Sequence, residues 1–230
     1  MTLYVTGKAL RQEWRVLREV VVRDNVEIGG HNDNPYYAFA VHYCAERLFG
    51  TWYGPRWFEE FDIRRALATV RSRARRPSLA WRNHAFRVGP LTYAMLERNG
   101  IRAVSDTVDR ARAGPYHLDG RRLVVFPINT LPDHEHVLHG WWTRMVAAEA
   151  RGADAFGPYC EPVTVERWLE IVEGQVQEIV GRGGDATILA HPLCMYLADG
   201  LRVFDALCGS LARLSTHWVS EAVDADGRLR

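Results

Sequence analysis

Residues 1–31 read as strand, turn, helix and strand, and the second strand ends on a histidine. A short apolar run over 2–6 is followed by Gly7-Lys8, an amphipathic pattern over 11–22 and a second run over 25–30. That second run closes as Val26-Glu27-Ile28-Gly29-Gly30-His31. Few folds are open to a chain that starts this way, because strands alternating with helices build a parallel sheet or barrel. In α/β barrels the carboxyl ends of the strands carry the chemistry, and His31 stands at such an end.

The remainder keeps the same rhythm. Further β-rich runs occupy 79–82, 101–105, 123–128 and 186–190, making six in all. Helical periodicity marks 56–73, 90–99, 164–180 and 201–214. Gly100 stops the third of the five helices as a C-cap. At 230 residues the chain fits a single α/β domain over 1–230. The aromatic-rich stretch 35–61 is long for a connection, and such stretches are usually functional, so it is expected to be an ordered insertion or lid.

Composition excludes several classes. The net charge is +1, so no global field favours nucleic acid or an anionic membrane. Lys8 is the only lysine, and the cluster Arg71, Arg73, Arg75, Arg76 sits at a helix end, where cations favour the dipole. Cys44, Cys160, Cys194 and Cys208 lack CxxC spacing and are too sparse for a disulfide scaffold, so reduced core thiols are expected. No apolar run approaches a membrane span and the start lacks signal-peptide character, which points to a cytoplasmic address. Nucleotide loops and the Gly-x-Ser-x-Gly elbow are absent, and Gly181-Arg182-Gly183-Gly184 precedes a strand, so it reads as a turn. Trp52, Tyr53, Trp57, Trp141 and Trp142 suit either sugar stacking or core packing.

Three blocks and a loop carry candidate chemistry. The first is Glu27-Ile28-Gly29-Gly30-His31, followed by Asn32-Asp33-Asn34-Pro35. The second is Trp81-Arg82-Asn83-His84-Ala85-Phe86-Arg87-Val88-Gly89-Pro90, ahead of a helix and Gly100-Ile101. The third is Thr187-Ile188-Leu189-Ala190-His191-Pro192, a buried strand whose proline ends it and exposes His191 at the mouth. The loop is Asp133-His134-Glu135-His136, with His139 close behind. Strand alternation would put His134 and His136 on one face, and helical spacing would pair His136 with His139. Each residue also has a structural use. A strand-end histidine is often a satisfied hydrogen-bonding group, and a buried arginine pairs with a carboxylate.

In order and spacing these blocks resemble the polysaccharide deacetylase superfamily from residue 2 to about 214. The resemblance implies a distorted (β/α) barrel of about seven strands, six of them present. The strand with the paired aspartates would lie upstream of Met1, and its absence would leave an open edge that a second copy of the chain could cover. The implied activity is metal-dependent removal of an acetyl group from an N-acetylated sugar or related amide. The ion polarises the carbonyl and activates water. It would be a divalent metal, zinc foremost, with cobalt or nickel as alternatives.

By the same resemblance His31 is a metal ligand, while Pro35 replaces the usual second histidine. Asp33 through oxygen, or His42 reaching back, could fill that place, and His134 and His136 are further metal candidates. Counting back from Gly100-Ile101 puts Arg82, not Arg87, on the arginine that orients the catalytic aspartate. Trp81 and His84 are candidate substrate contacts, and Leu189 a candidate lining for the acyl methyl. His191 is the implied general acid, with Asp133 as its orienting partner and the base on the absent strand. Two other readings fit the same residues: a binding or scaffold protein with catalysis lost, and a hydrolase of a ureide or cyclic amide.

Overall fold

Thr6 opens the first helix because its hydroxyl caps the exposed N–H groups of the first turn. Its Oγ accepts from the N–H of Ala9 at 3.1 Å. In the computed structural model, which describes residues 1–35, 39–134, 136–138, 162–224 and 228–229, β1 (Thr2–Val5) leads through this cap into α1 (Gly7–Gln12). Gly7-Lys8 is therefore the first turn of a helix, not a connecting turn. The expected helix 11–22 divides at Glu13, and α2 (Trp14–Val21) follows. Glu135, His139, Trp141, Trp142 and Cys160 lie outside the described residues.

Two compact units make up the chain. The first comprises Met1–Asp106, Tyr116–Phe126 and His217–Arg230. It holds β2 (Glu27–Gly30), α3 (Phe39–Phe49), α4 (Arg56–Ala74), β3 (Ala80–Trp81), α5 (Thr92–Arg98), β4 (Ala103–Val104), β5 (Tyr116–His117) and β6 (Val124–Val125). The six strands form one sheet in the order β1-β2-β3-β4-β6-β5, parallel except for the β5–β6 pair. The result is a mixed α/β, mostly parallel sheet of the kind a distorted deacetylase-type barrel contains. Among the described residues the sheet is open, with β1 and β5 at its edges.

Parallel strands are buried on both faces, and β6 shows why its sequence is a continuous apolar run. Leu123 and Val125 pack with Val104, Met95 and Ile63. Val124 and Phe126 pack with Ala103 and Val223. Helix α4 bridges two clusters, giving Ile63 and Ala66 to one and Val70 to another with Leu10, Val21 and Ile28. Gly100 ends α5 as expected, with φ +90°, where a side chain would strain the backbone. Within 35–61 the structure has helix α3, the buried aromatics Trp52 and Tyr53, and the start of α4, which exposes Trp57.

The second unit, Thr107–Pro115 with Pro127–Thr216, packs around α6 (Val165–Gly181), α7 (Pro192–Asp199) and α8 (Arg202–Leu211). Its core joins Trp168, Val172 and Val176 to Leu131, Met195 and Leu207. The expected strand 186–190 joins no ladder. Side chains occupy the places a neighbouring strand would fill: the Thr187 N–H donates to Asn129 Oδ1, and Thr130 Oγ donates to the Thr187 carbonyl. The sixth strand is instead the two-residue β5. No helix among the described residues is long and apolar enough to cross a membrane.

Candidate functional site

In the first unit the loop after β2 is held from three sides. The N–H groups of Gly7 and Lys8 donate to the carbonyls of Asn32 and Asp33 at 2.9 and 2.8 Å, which joins the start of α1 to this loop. Asp62 of α4 accepts from the backbone of Asp33 and Asn34 and from the Asn32 side chain. Burial raises the Asp62 pKa, while these hydrogen bonds oppose the rise. Asn32 adopts φ +60°, a left-handed conformation that Asn tolerates better than most residues. The paired glycines before it serve packing, since a Cβ on Gly29 would enter the Tyr4 ring and one on Gly30 the Trp81 ring.

His31 comes off this loop half-buried. Its Nδ1 lies 2.7 Å from the Arg82 carbonyl, and its ring centroid is 4.9 Å from that of His84. Asp33, expected as an oxygen ligand, is almost fully buried and engaged by arginines. Arg11 meets its two oxygens at 2.5 and 2.8 Å, and Arg65 lies 3.2 Å from Oδ2. His42 is buried against Trp52, with Nδ1 2.8 Å from the Trp52 carbonyl. Trp81, expected to touch substrate, is fully buried in the core and donates to Asn83. The structure thus gathers His31 with His84 and turns Asp33, His42 and Trp81 to packing and charge balance.

Arg82 is buried, donates to the carbonyl and hydroxyl of Ser105 at 2.9 and 2.7 Å, and stacks on Tyr4 at 4.4 Å. Beside it lies Asp106, which sequence reasoning missed. Its carboxylate takes the backbone N–H and side-chain amide of Asn83 at 2.6 and 2.8 Å, fixing the turn that carries His84. Burial pushes the Asp106 pKa up to about 6, against the pull of the Asn83 bonds and the Arg82 charge. The available signal was position: Asp106 follows strand β4 as His31 follows β2.

The second unit holds the tighter constellation. Asp133 is fully buried, and one carboxylate takes two donors from one residue: His191 Nδ1 at 2.7 Å and the His191 backbone N–H at 2.6 Å. The His191 ring remains 44% exposed, so it reaches solvent from a buried anchor. Local structure follows from Pro192, which takes the first position of α7 where its missing N–H costs nothing, making His191 the residue at the helix start. Ala186, Ile188 and Ala190 pack against the helical core, and Leu189, two residues before His191, is buried.

Two more residues join them. The His134 ring is 5.1 Å from His191, and its Nδ1 is 3.3 Å from the Cys194 sulfur. One donor atom each from His134, His191 and Cys194 lies within 4.8 Å of the others. Cys194, expected to be a plain core thiol, is buried in the first turn of α7. His136, the other expected ligand in this loop, sits apart with Nδ1 3.0 Å from the Pro132 carbonyl. As donor sets the two units differ. The His31 loop offers paired imidazoles with its nearest carboxylate engaged, which does not fit a metal centre by itself. The His134, His191 and Cys194 set is the group among the described residues that could close on an ion.

No family model matches the sequence, and no curated protein matches it. Solved structures do. A protein assigned as a polysaccharide deacetylase from Mycobacterium smegmatis aligns with TM-score 0.65 and 14% identity, over 95% of this chain and 67% of that one. PuuE allantoinase aligns with TM-score 0.61 and 17% identity, over 98% of this chain and 66% of its own. A protein assigned as a polysaccharide deacetylase from Pseudomonas aeruginosa PAO1 aligns with TM-score 0.55 and 16% identity, over 94% and 64%. The chain spans about two thirds of the length of each. At these identities the likeness is one of fold: the chain shares the fold of these three structures.

Proposed function

We propose that the chain belongs to a hydrolase of non-peptide C–N bonds, acting on an N-acetylated sugar or related amide, with Asp133 and His191 handling the proton. The observation that supports this most strongly is that one buried carboxylate accepts hydrogen bonds from both the ring and the backbone N–H of one half-exposed histidine. A carboxylate only accepts, so Nδ1 keeps its proton and Nε2 becomes the nitrogen that gains and loses one. Hydrolysis adds water to the carbonyl carbon and breaks the C–N bond, and the departing amine must receive a proton. His191 Nε2–H would supply it, and Asp133 would hold the ring in one orientation and stabilise the imidazolium before transfer. Leu189, two residues before His191 in the chain, would line the space for an acyl methyl.

Divalent-metal dependence, with zinc first among the candidates, is part of what the resemblance implies for His31. With Asp33 tied to Arg11 and Arg65, no step is assigned to a metal at that loop. Arg82 keeps a positioning role in this reading, through Ser105 and the Asn83–Asp106 turn. The likeness to an allantoinase favours a second substrate class, a cyclic ureide.

Both substrate classes are tested together. Acetate release from N-acetylated sugars and ring opening of allantoin are followed with the wild-type chain and with His191→Gln. Turnover of either substrate that falls about 10²–10⁴-fold in the variant is the expected result. Turnover that His191→Gln leaves intact would overturn the assignment of the proton to this pair.

A further inference from the structure

We propose that His134, His191 and Cys194 form a binding site for one zinc ion, a ligand set distinct from the His31 position. Zinc binding there needs no substrate and stands apart from the hydrolase reading. Tetrahedral zinc, with bonds of about 2.0–2.1 Å to nitrogen and about 2.3 Å to sulfur, sets its donors roughly 3.3–3.7 Å apart. His134 Nδ1 and Cys194 Sγ are already 3.3 Å apart, and all three donors lie within 4.8 Å of one another. Both imidazoles are only partly buried, the His191 side chain keeping 44% of its surface exposed, so the rings can adjust to close the remainder.

The sequence makes this triangle in two steps. Pro192 starts α7 directly after His191, which puts Cys194 three residues on in the same first turn. The positive end of that helix favours an anionic sulfur there. The Asp133 bond to His191 then brings its chain neighbour His134 to the open side of the pair. That bond also serves metal binding, because a carboxylate on Nδ1 fixes the ring and leaves Nε2 as the nitrogen that would take the ion, as in carboxylate–histidine–zinc arrangements. One sulfur and two imidazoles suit zinc and disfavour magnesium or calcium, which take oxygen ligands. Three protein ligands leave the fourth tetrahedral position for water.

Binding takes the proton from the Cys194 thiol as the zinc–sulfur bond forms and releases it to solvent. A metal on Nε2 also removes that nitrogen from proton transfer. Zinc and the proton are therefore competing occupants of His191.

The test uses the full chain, stripped of metal with a chelator and kept reduced. Cobalt(II) added to it should give, at one equivalent, a thiolate-to-cobalt charge-transfer band with the visible bands of a tetrahedral site, and zinc should displace it. Competition with a chromophoric chelator should show zinc binding weakened about 10–100-fold in Asp133→Asn. It should be lost in Cys194→Ser and His134→Ala, while His136→Ala keeps the band. A chain without the charge-transfer band, or a band that survives Cys194→Ser, would overturn the site.

Discussion

The loop after β2 and the cluster around His191 use the same residue types to opposite ends. At the loop, the buried carboxylates Asp33, Asp62 and Asp106 bind arginines, backbone N–H groups and the Asn83 amide. The His31 ring meets a backbone carbonyl. Around His191 the buried carboxylate of Asp133 is bonded to the histidine itself, and a second histidine and a thiol stand beside it. A carboxylate that neutralises an arginine or closes a turn organises backbone. A carboxylate on an imidazole sets the direction in which that imidazole can give a proton or take a metal. Histidine and carboxylate content alone therefore does not separate the two regions; the pairing does.

Replacing Asp133 is the strongest way to break that contrast. Asp133→Asn keeps the shape but cannot accept two hydrogen bonds as a carboxylate does, so kcat should fall by about 10²–10⁴ with KM little changed. Steady-state kinetics on whichever substrate the chain accepts would read this. A variant with wild-type kcat would show that Asp133 only anchors the helix start.

Part of this is legible in the sequence. His31, Arg82 and His191 are readable because each sits at the end of an apolar run, and Asp133 because a resemblance pointed it at His191. Other features were hidden for definite physical reasons. Cys194 looks like a core thiol until Pro192 is seen to start a helix and bring the sulfur to the His191 side. Residues 186–190 have a strand's composition, but Asn129 and Thr130 side chains take the hydrogen bonds that a ladder would make. β5 has only two residues, too few for alternation to show. Asp33 sits beside His31 in sequence, and only α1 and α4 supply the arginines that claim it.

The next contrast is in proton uptake within the first unit. Asp106 has a folded-state pKa of about 6, raised from an ordinary 3.8. Between those values the folded chain holds a proton that the unfolded chain has released. Its contribution to stability is therefore present at low pH and falls as pH rises through about 6. A shift of this size corresponds to about 3 kcal/mol at most. Glu59 and Asp62, also raised by burial, act in the same direction. Denaturant unfolding of wild type and Asp106→Asn across pH 4 to 7 isolates the one group, because the other two are common to both chains. The wild type should lose stability relative to the variant as pH rises. A difference that stays constant with pH would show that Asp106 titrates normally.

The smallest expected effect sharpens the comparison at Asp33, where the sequence suggested a ligand and the structure gives an ion pair. Arg11 and Arg65 keep 31% and 47% of their side-chain surface exposed, so water screens part of the attraction. Asp33→Asn should therefore cost about 1–2 kcal/mol, the scale of hydrogen bonds to a charged group, and not the larger penalty of a fully buried pair. The loss should shrink in high salt, as attraction between partly exposed charges does. Thermal unfolding at low and high ionic strength reads both features. Unchanged stability in Asp33→Asn, together with loss of a bound divalent metal, would return Asp33 to the ligand role. The loop after β2 would then have to be counted, with the His191 cluster, among the places where a carboxylate serves chemistry.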